Sequence, residues 1–383
     1  MTPGSQKVEG LLSLSPRNHG IDFLRIISMY MILMLHMLGH GGFFEKVEWL
    51  SWNYLLGSGL LIASFCSVNC YALISGYVCY GQKFDYARII RLWLEVVFYT
   101  VGITVLFAWF MPEKVRFVDW INAFFPVLRD QYWYVTAYFA LFFCMPFLNF
   151  LVDRLEKKQF IKLLLTLIIL FSIIPTVAFN KDGFAVRDGY SPLWLGVLYL
   201  LGIYIKKYNW LSRLSSKVSL LLFAGCTFLV MASKIVMEMI TSRLLGVPRH
   251  GEILLAYSSP LMVAAAIFLF MACLRKTYSS PKWVACITFL APLSFGVYLF
   301  HCQSCIWRYW MDGRFVSYGE LPPWQMLAAV LLTGAGIYMV GSLVDFIRLK
   351  VFQVCRIRMV STWMVSWLRK GYDKVFYWRE YRE

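Results

Sequence analysis

Residues 17–39 read RNHGIDFLRIISMYMILMLHMLG, and this stretch decides the fold. From Gly20 to Gly39 it is an almost unbroken apolar run, of the length that crosses a hydrocarbon core about 30 Å thick. Asp22, Arg25 and His36 interrupt it, and no small-residue cleavage site follows, so it does not read as a secretory leader and is expected to remain in the mature protein. A charge at the bilayer centre costs at least about 2.5–3.5 kcal/mol, so polar groups kept in such a segment are functional candidates.

Nine further apolar stretches lie outward from the first, near 50–78, 92–111, 131–151, 160–178, 191–206, 216–239, 254–273, 284–305 and 323–347. The sixth stretch of the chain is short for a span, and the second is long enough to tilt or break, with Gly57, Gly59, Gly76 and Asn69 along it. With 60% apolar residues, 15% charged and a mean hydropathy of +0.63, the 383-residue chain is unlike soluble domains of any size. The expected fold class is an all-α integral membrane protein of about ten transmembrane helices. Aromatic residues at 18%, including 15 Trp and 23 Tyr, suit many helix ends at headgroup level. No repeat and no Pro- or Ser-rich linker divides the chain, which reads as one domain, 1–347, and a basic, aromatic tail, 348–383.

The connections fix the expected orientation. Those that would share a side with the termini hold 25 Lys and Arg, against 11 on the other side, which places both termini in the cytoplasm of a multi-pass cell-membrane protein. The net charge of +16 does not point to nucleic acid, because the basic residues fall in short groups with no continuous basic face. In the tail, basic residues recur with Trp363, Trp367 and Trp378, as in an interfacial amphipathic helix on anionic lipid. Ten cysteines sit mostly within apolar segments as small hydrophobes, and Cys302 and Cys305 form a lone CxxC without the second pair that a structural zinc site wants.

Three sets of polar residues stand out. Arg25 and His36 are eleven residues apart, which brings them to within about 20° of one helix face and about 16 Å apart along the axis. Asp22 precedes Arg25 by one turn and can pair with it. Arg88, Arg91 and Glu95 form a second stripe at i, i+3 and i+7. Paired guanidiniums suit phosphate, although arginines also snorkel at helix ends. His301 lies late in the ninth stretch. His36 and His40 have the i, i+4 spacing of a metal pair but no evident third ligand, so no metal is expected.

These segments resemble the membrane-bound acyltransferase-3 family. Residues 17–39 are similar to its first-helix signature, with its Arg-x10-His at Arg25 and His36, and its Arg-x-x-Arg matches Arg88 and Arg91. QYWYVTAYFALFFCMPFLN (131–149), LWLGVLYLLGIYIKKY (193–208), YSSP (257–260) and LSFGVYLFH (293–301) resemble further blocks in the family's order. The resemblance implies transfer of an acyl group, most often acetyl, from cytoplasmic acyl-CoA to a hydroxyl of an extracytoplasmic or lipid-linked glycan. Acyl-CoA would be a co-substrate and no cofactor would be needed. Arg25 and His36 would be catalytic, with His36 as the base, and Arg88 and Arg91 would bind the donor. Asp22, Glu95, Trp133, Tyr134 and His301 would support them. A transporter or acceptor-recognition subunit for a small or acylated solute is the alternative, since charge on facing helices also lines translocation paths.

Overall fold

Each of the ten apolar stretches contains a helix in the computed structural model, which describes residues 17–179 and 183–380, with side chains through Lys370. No strand occurs among the described residues. Lys7, Lys181 and Arg382, which enter the charge asymmetry, lie outside the described residues. Among the described residues, eight helices are long and apolar enough to cross a membrane: α1 (His19–His40), α2 (Trp52–Cys79), α3 (Ala87–Phe110), α4 (Trp133–Arg154), α5 (Lys157–Val177), α7 (Ser216–Leu245), α9 (Pro281–His301) and α10 (Pro323–Val354). The protein is therefore an all-α, multi-pass membrane protein.

The other two helices, α6 (Pro192–Tyr208) and α8 (Pro260–Leu274), have 17 and 15 residues, or about 26 and 23 Å at 1.5 Å per residue. Both are sheltered inside the bundle, with most of their residues buried. The eighth stretch becomes helical only at Pro260, whereas its apolar run starts near 254. Leu255, Ala256 and Tyr257 are buried along a cavity wall instead, a setting in which non-helical backbone is tolerated at membrane depth. Pro260 then starts the helix at a position that needs no N–H donor.

Polar ends and close backbone contacts hold the bundle together. Asn18 caps α1 by accepting from the Gly20 and Ile21 N–H groups, at 2.9 and 3.1 Å. At the same end, Ser216 of α7 donates to the Ala272 carbonyl of α8. At the opposite end, Phe315 N–H donates to the Gly41 carbonyl and Asn53 donates to the Gly319 carbonyl. Gly76 does not break α2, whose interruption falls at Cys66. A Cβ at Gly76 would run into the Tyr199 backbone, and one at Gly202 into the Leu73 carbonyl, so the two glycines let α2 and α6 meet backbone to backbone.

Beyond α10 the chain turns at Arg356, whose φ of 50° is left-handed, and continues as α11 (Ile357–Glu380). This helix packs against α3 and α10.

Candidate active site

Three cavities follow one another along α1. The inner one, about 490 Å³, is lined by Asp22 and Arg25 of α1, the end of α2, and Arg88, Arg91 and Glu95 of α3. The outer one, about 920 Å³, is lined by His36 and His40, by Trp133, and by Cys302 and Trp307 after α9. Between them a neck of about 30 Å³ shares Tyr71 and Tyr134 with the inner cavity and His36, Trp133, Tyr257 and Tyr298 with the outer. The two stripes seen in the sequence thus line a row of cavities that share wall residues.

The inner cavity gathers positive charge unequally. Asp22, nearly buried, holds both Arg17 and Arg25, accepting from Arg25 at 2.7 Å. Arg91 donates to Asp85 at 3.1 Å and to the Ser361 hydroxyl of α11 at 3.3 Å. Burial works against the Asp85 carboxylate, but the Ala87 N–H and Arg91 outweigh it and hold its pKa below the usual range. Arg88 is exposed to the cavity and makes no ion pair among the described residues. Glu95 is drawn the other way, to Arg348 of α10 at 3.2 Å. Arg348 also binds Asp345 through two 2.8 Å hydrogen bonds, and Tyr99 donates to the same Asp345.

At the far end of α1 the last turn widens to a π-helix over His36–His40, a departure that recurs at functional sites. His36 Nδ1 meets His301 Nε2 at 2.8 Å, and His301 Nδ1 lies 2.6 Å from the Val297 carbonyl. A carbonyl only accepts, so His301 carries its proton on Nδ1 and, when neutral, presents a bare Nε2. The hydrogen between the rings is then on His36 Nδ1, and His36 Nε2 is left with its lone pair. That is the state of a general base.

Trp307 stands edge-on to His36, with ring centroids 5.2 Å apart, and Trp133 stacks against Tyr257. Arg308, on the rim, pairs with Asp119 through bonds of 2.8 and 3.2 Å. Burial raises the Asp119 pKa, but Arg308 and the Arg116 N–H overcome this and depress it.

His36, His301 and Cys302 bring three ligand atoms within 4.8 Å of one another, a set that could hold a metal ion. The sequence offered His36 with His40, but their rings are 6.2 Å apart, and the nearer partners come from α9. A tetrahedral ion with about 2.0–2.1 Å bonds to nitrogen would hold two ring nitrogens about 3.3 Å apart. The 2.8 Å separation of His36 and His301 is that of a hydrogen bond.

The family model described as an acyltransferase domain matches residues 18–341. The chain belongs to the acyltransferase-3 family. No curated protein and no solved structure matches it. The match runs from the cap of α1 into α10, so it includes every residue that lines the neck.

Of the residues that the family resemblance singles out, Arg25, Arg88 and Arg91 meet at the inner cavity, His36 stands at the neck, and Trp133 and Tyr134 form its wall. Asp22 lies against Arg25, and His301 against His36. Three residues of the site have no separate reading in the sequence: Asp345 and Arg348, which pair near the end of α10, and Tyr71 of the neck. Cys302, read from the sequence only as half of a lone CxxC, lies beside His36. The i, i+3 spacing could have flagged Asp345 and Arg348, as it did Asp22 and Arg25.

Proposed function

We propose that this acyltransferase carries an acyl group, in the simplest case acetyl, from cytoplasmic acyl-CoA to a hydroxyl of an extracytoplasmic or lipid-linked glycan at the cell membrane. The observation that carries the reading is the place of His36, at a neck joining an arginine-lined cavity to an aromatic-lined one. Guanidiniums are suited to phosphates, and Arg88 is unengaged. Aromatic faces such as Trp133, Trp307 and Tyr257 suit the C–H faces of sugars.

In this mechanism the donor phosphates stay in the inner cavity while the pantetheine arm passes between Tyr71 and Tyr134. The neck is about the volume of one water molecule, so these rings must part to admit the arm. His36 Nε2 takes the proton of the acceptor hydroxyl as its oxygen attacks the thioester carbonyl. The new C–O bond forms, the C–S bond breaks, and the coenzyme A thiolate recovers the proton from His36. Charge that develops on the ring is shared through His36 Nδ1–H with His301 and the Val297 carbonyl. Arg25, at the inner end of the same helix, would guide the thioester toward the neck.

Purified protein given acetyl-CoA should release free coenzyme A only when a carbohydrate acceptor is added. No release with any glycan acceptor would favour the solute carrier instead, and release that no acceptor increases would mean hydrolysis of the thioester rather than transfer.

A further inference from the structure

A further cavity of about 570 Å³ lies where α10 meets α11, on the far side of Arg91 and Glu95 from the inner cavity. Its polar lining is strongly cationic. Arg91, Arg348, Arg356 and Arg358 face it, and the one carboxylate among its lining residues, Glu95, is paired with Arg348. Arg356 and Arg358 are exposed and make no ion pair among the described residues. The rest of the wall is Leu349, Phe352 and Ile357, with Gln353 as its one uncharged polar residue. Such a lining suits an anion attached to a hydrocarbon chain rather than a freely soluble anion.

Helix α11 has a buried side and an exposed apolar side. Ile357, Ser361, Met364 and Val365 fall on one side, and Ser361 is fully buried against α3. Met359, Val360, Trp363 and Trp367 fall on another and are exposed, the two Trp at 64% and 62%. The helix directly follows a membrane-crossing one, so this exposed apolar stripe lies where lipid can cover it.

We propose that the α10–α11 junction binds the phosphodiester of an anionic phospholipid of the cytoplasmic leaflet, and that the bound lipid holds Arg91 in place for the donor. The link is direct, because Arg91 lines both cavities and is tied to α11 through Ser361. The coupling to donor binding rests on the function proposed above, whereas the lipid site does not.

The test uses the full chain in nanodiscs of phosphatidylcholine alone or with phosphatidylglycerol. Native mass spectrometry reads retained phosphatidylglycerol, and calorimetry reads coenzyme A affinity. The expected results are preferential retention of phosphatidylglycerol, its loss in the Arg356→Ala, Arg358→Ala double variant, and severalfold tighter coenzyme A binding in the anionic discs for the unaltered chain only. Equal retention by the double variant, or displacement of the lipid by millimolar inorganic phosphate, would overturn the lipid site. Retention as expected with the same coenzyme A affinity in both discs would overturn the coupling. Absence of coenzyme A binding in either disc would instead count against the donor reading, leaving the retention result to decide the site.

Discussion

His36 Nδ1 and His301 Nε2 stand 2.8 Å apart, and the Val297 carbonyl behind His301 decides which ring owns the hydrogen between them. A residue of α9 that touches neither cavity's mouth thus sets the proton state of a residue on α1. His36→Ala removes the proposed base, and the rate is expected to fall 10²–10⁴-fold, the usual range for loss of a general base. Because the role is proton transfer, expression and detergent-extracted yield should stay near normal. A variant keeping more than about a tenth of the rate would refute the assignment.

His301 acts through His36 and should be a positioning residue. In His301→Ala the His36 ring loses its acceptor and samples the wrong tautomer, so kcat should drop about 10–100-fold with little change in the acceptor's KM. His301→Gln can offer an amide oxygen to His36 Nδ1–H and should recover part of that loss. Equal kcat in the Ala and Gln variants would mean that the ring matters for packing alone.

The two donor-side arginines are not equivalent. Lysine at either position keeps the charge and loses the bidentate fork, so coenzyme A affinity should fall in both. Arg91 is already engaged by Asp85 and Ser361, whereas Arg88 has its donors free. Arg88→Lys should therefore weaken binding more than Arg91→Lys in calorimetry. Unchanged affinity in both would return these side chains to anchoring at the membrane boundary.

Most of the architecture was legible because the bilayer imposes its own length on a helix. The ten stretches, the Asp22–Arg25 pair and the Arg88–Arg91–Glu95 stripe could be found from local spacing alone. Contacts between distant helices could not. Nothing local says that His301 meets His36, 265 positions earlier, or that Glu95 pairs with Arg348 rather than serving Arg88. Hydropathy also sets the start of α8 too early, since Leu255, Ala256 and Tyr257 line a cavity ahead of the helix, which begins at Pro260.

Asp119 offers a test outside the spanning helices. Its folded pKa is depressed, so the stability it contributes is present above the unfolded value near 3.9 and is lost as pH falls through the lower folded value. Thermal unfolding in detergent should show Asp119→Asn destabilised by about 1.5–3 kcal/mol at neutral pH, the range for hydrogen bonds to a charged group. The difference from the unaltered protein should narrow below about pH 4. A difference that is constant from neutral to acid pH would show that the Asp119–Arg308 pair adds nothing electrostatic.

Sidedness is the most demanding consequence of the proposed function. Arg25, Arg88 and Arg91 line a cavity at the start of α1, and His36 stands at the other end of the same helix, about 16 Å from Arg25 at 1.5 Å per residue. The excess of Lys and Arg lies in connections at the arginine end, which on the positive-inside rule is cytoplasmic. Donor and acceptor should then enter from opposite faces. In sealed vesicles of known orientation, acetyl-CoA should be used only from the cytoplasmic side, and acetylated acceptor should appear only on the other. A charged thiol reagent gives an independent check on the topology. Native Cys355, exposed at the turn into α11, and an introduced Gly81→Cys should label from the cytoplasmic side, and Glu113→Cys, beyond the far end of α3, only from outside. Cys144 and Cys286 are exposed within α4 and α9 and, facing lipid, should stay unlabelled by such a reagent. Labelling of Gly81→Cys and Glu113→Cys from the same side would break the topology. Donor and base would then lie on one side of the membrane, and transfer across it through the neck at His36 would no longer be possible.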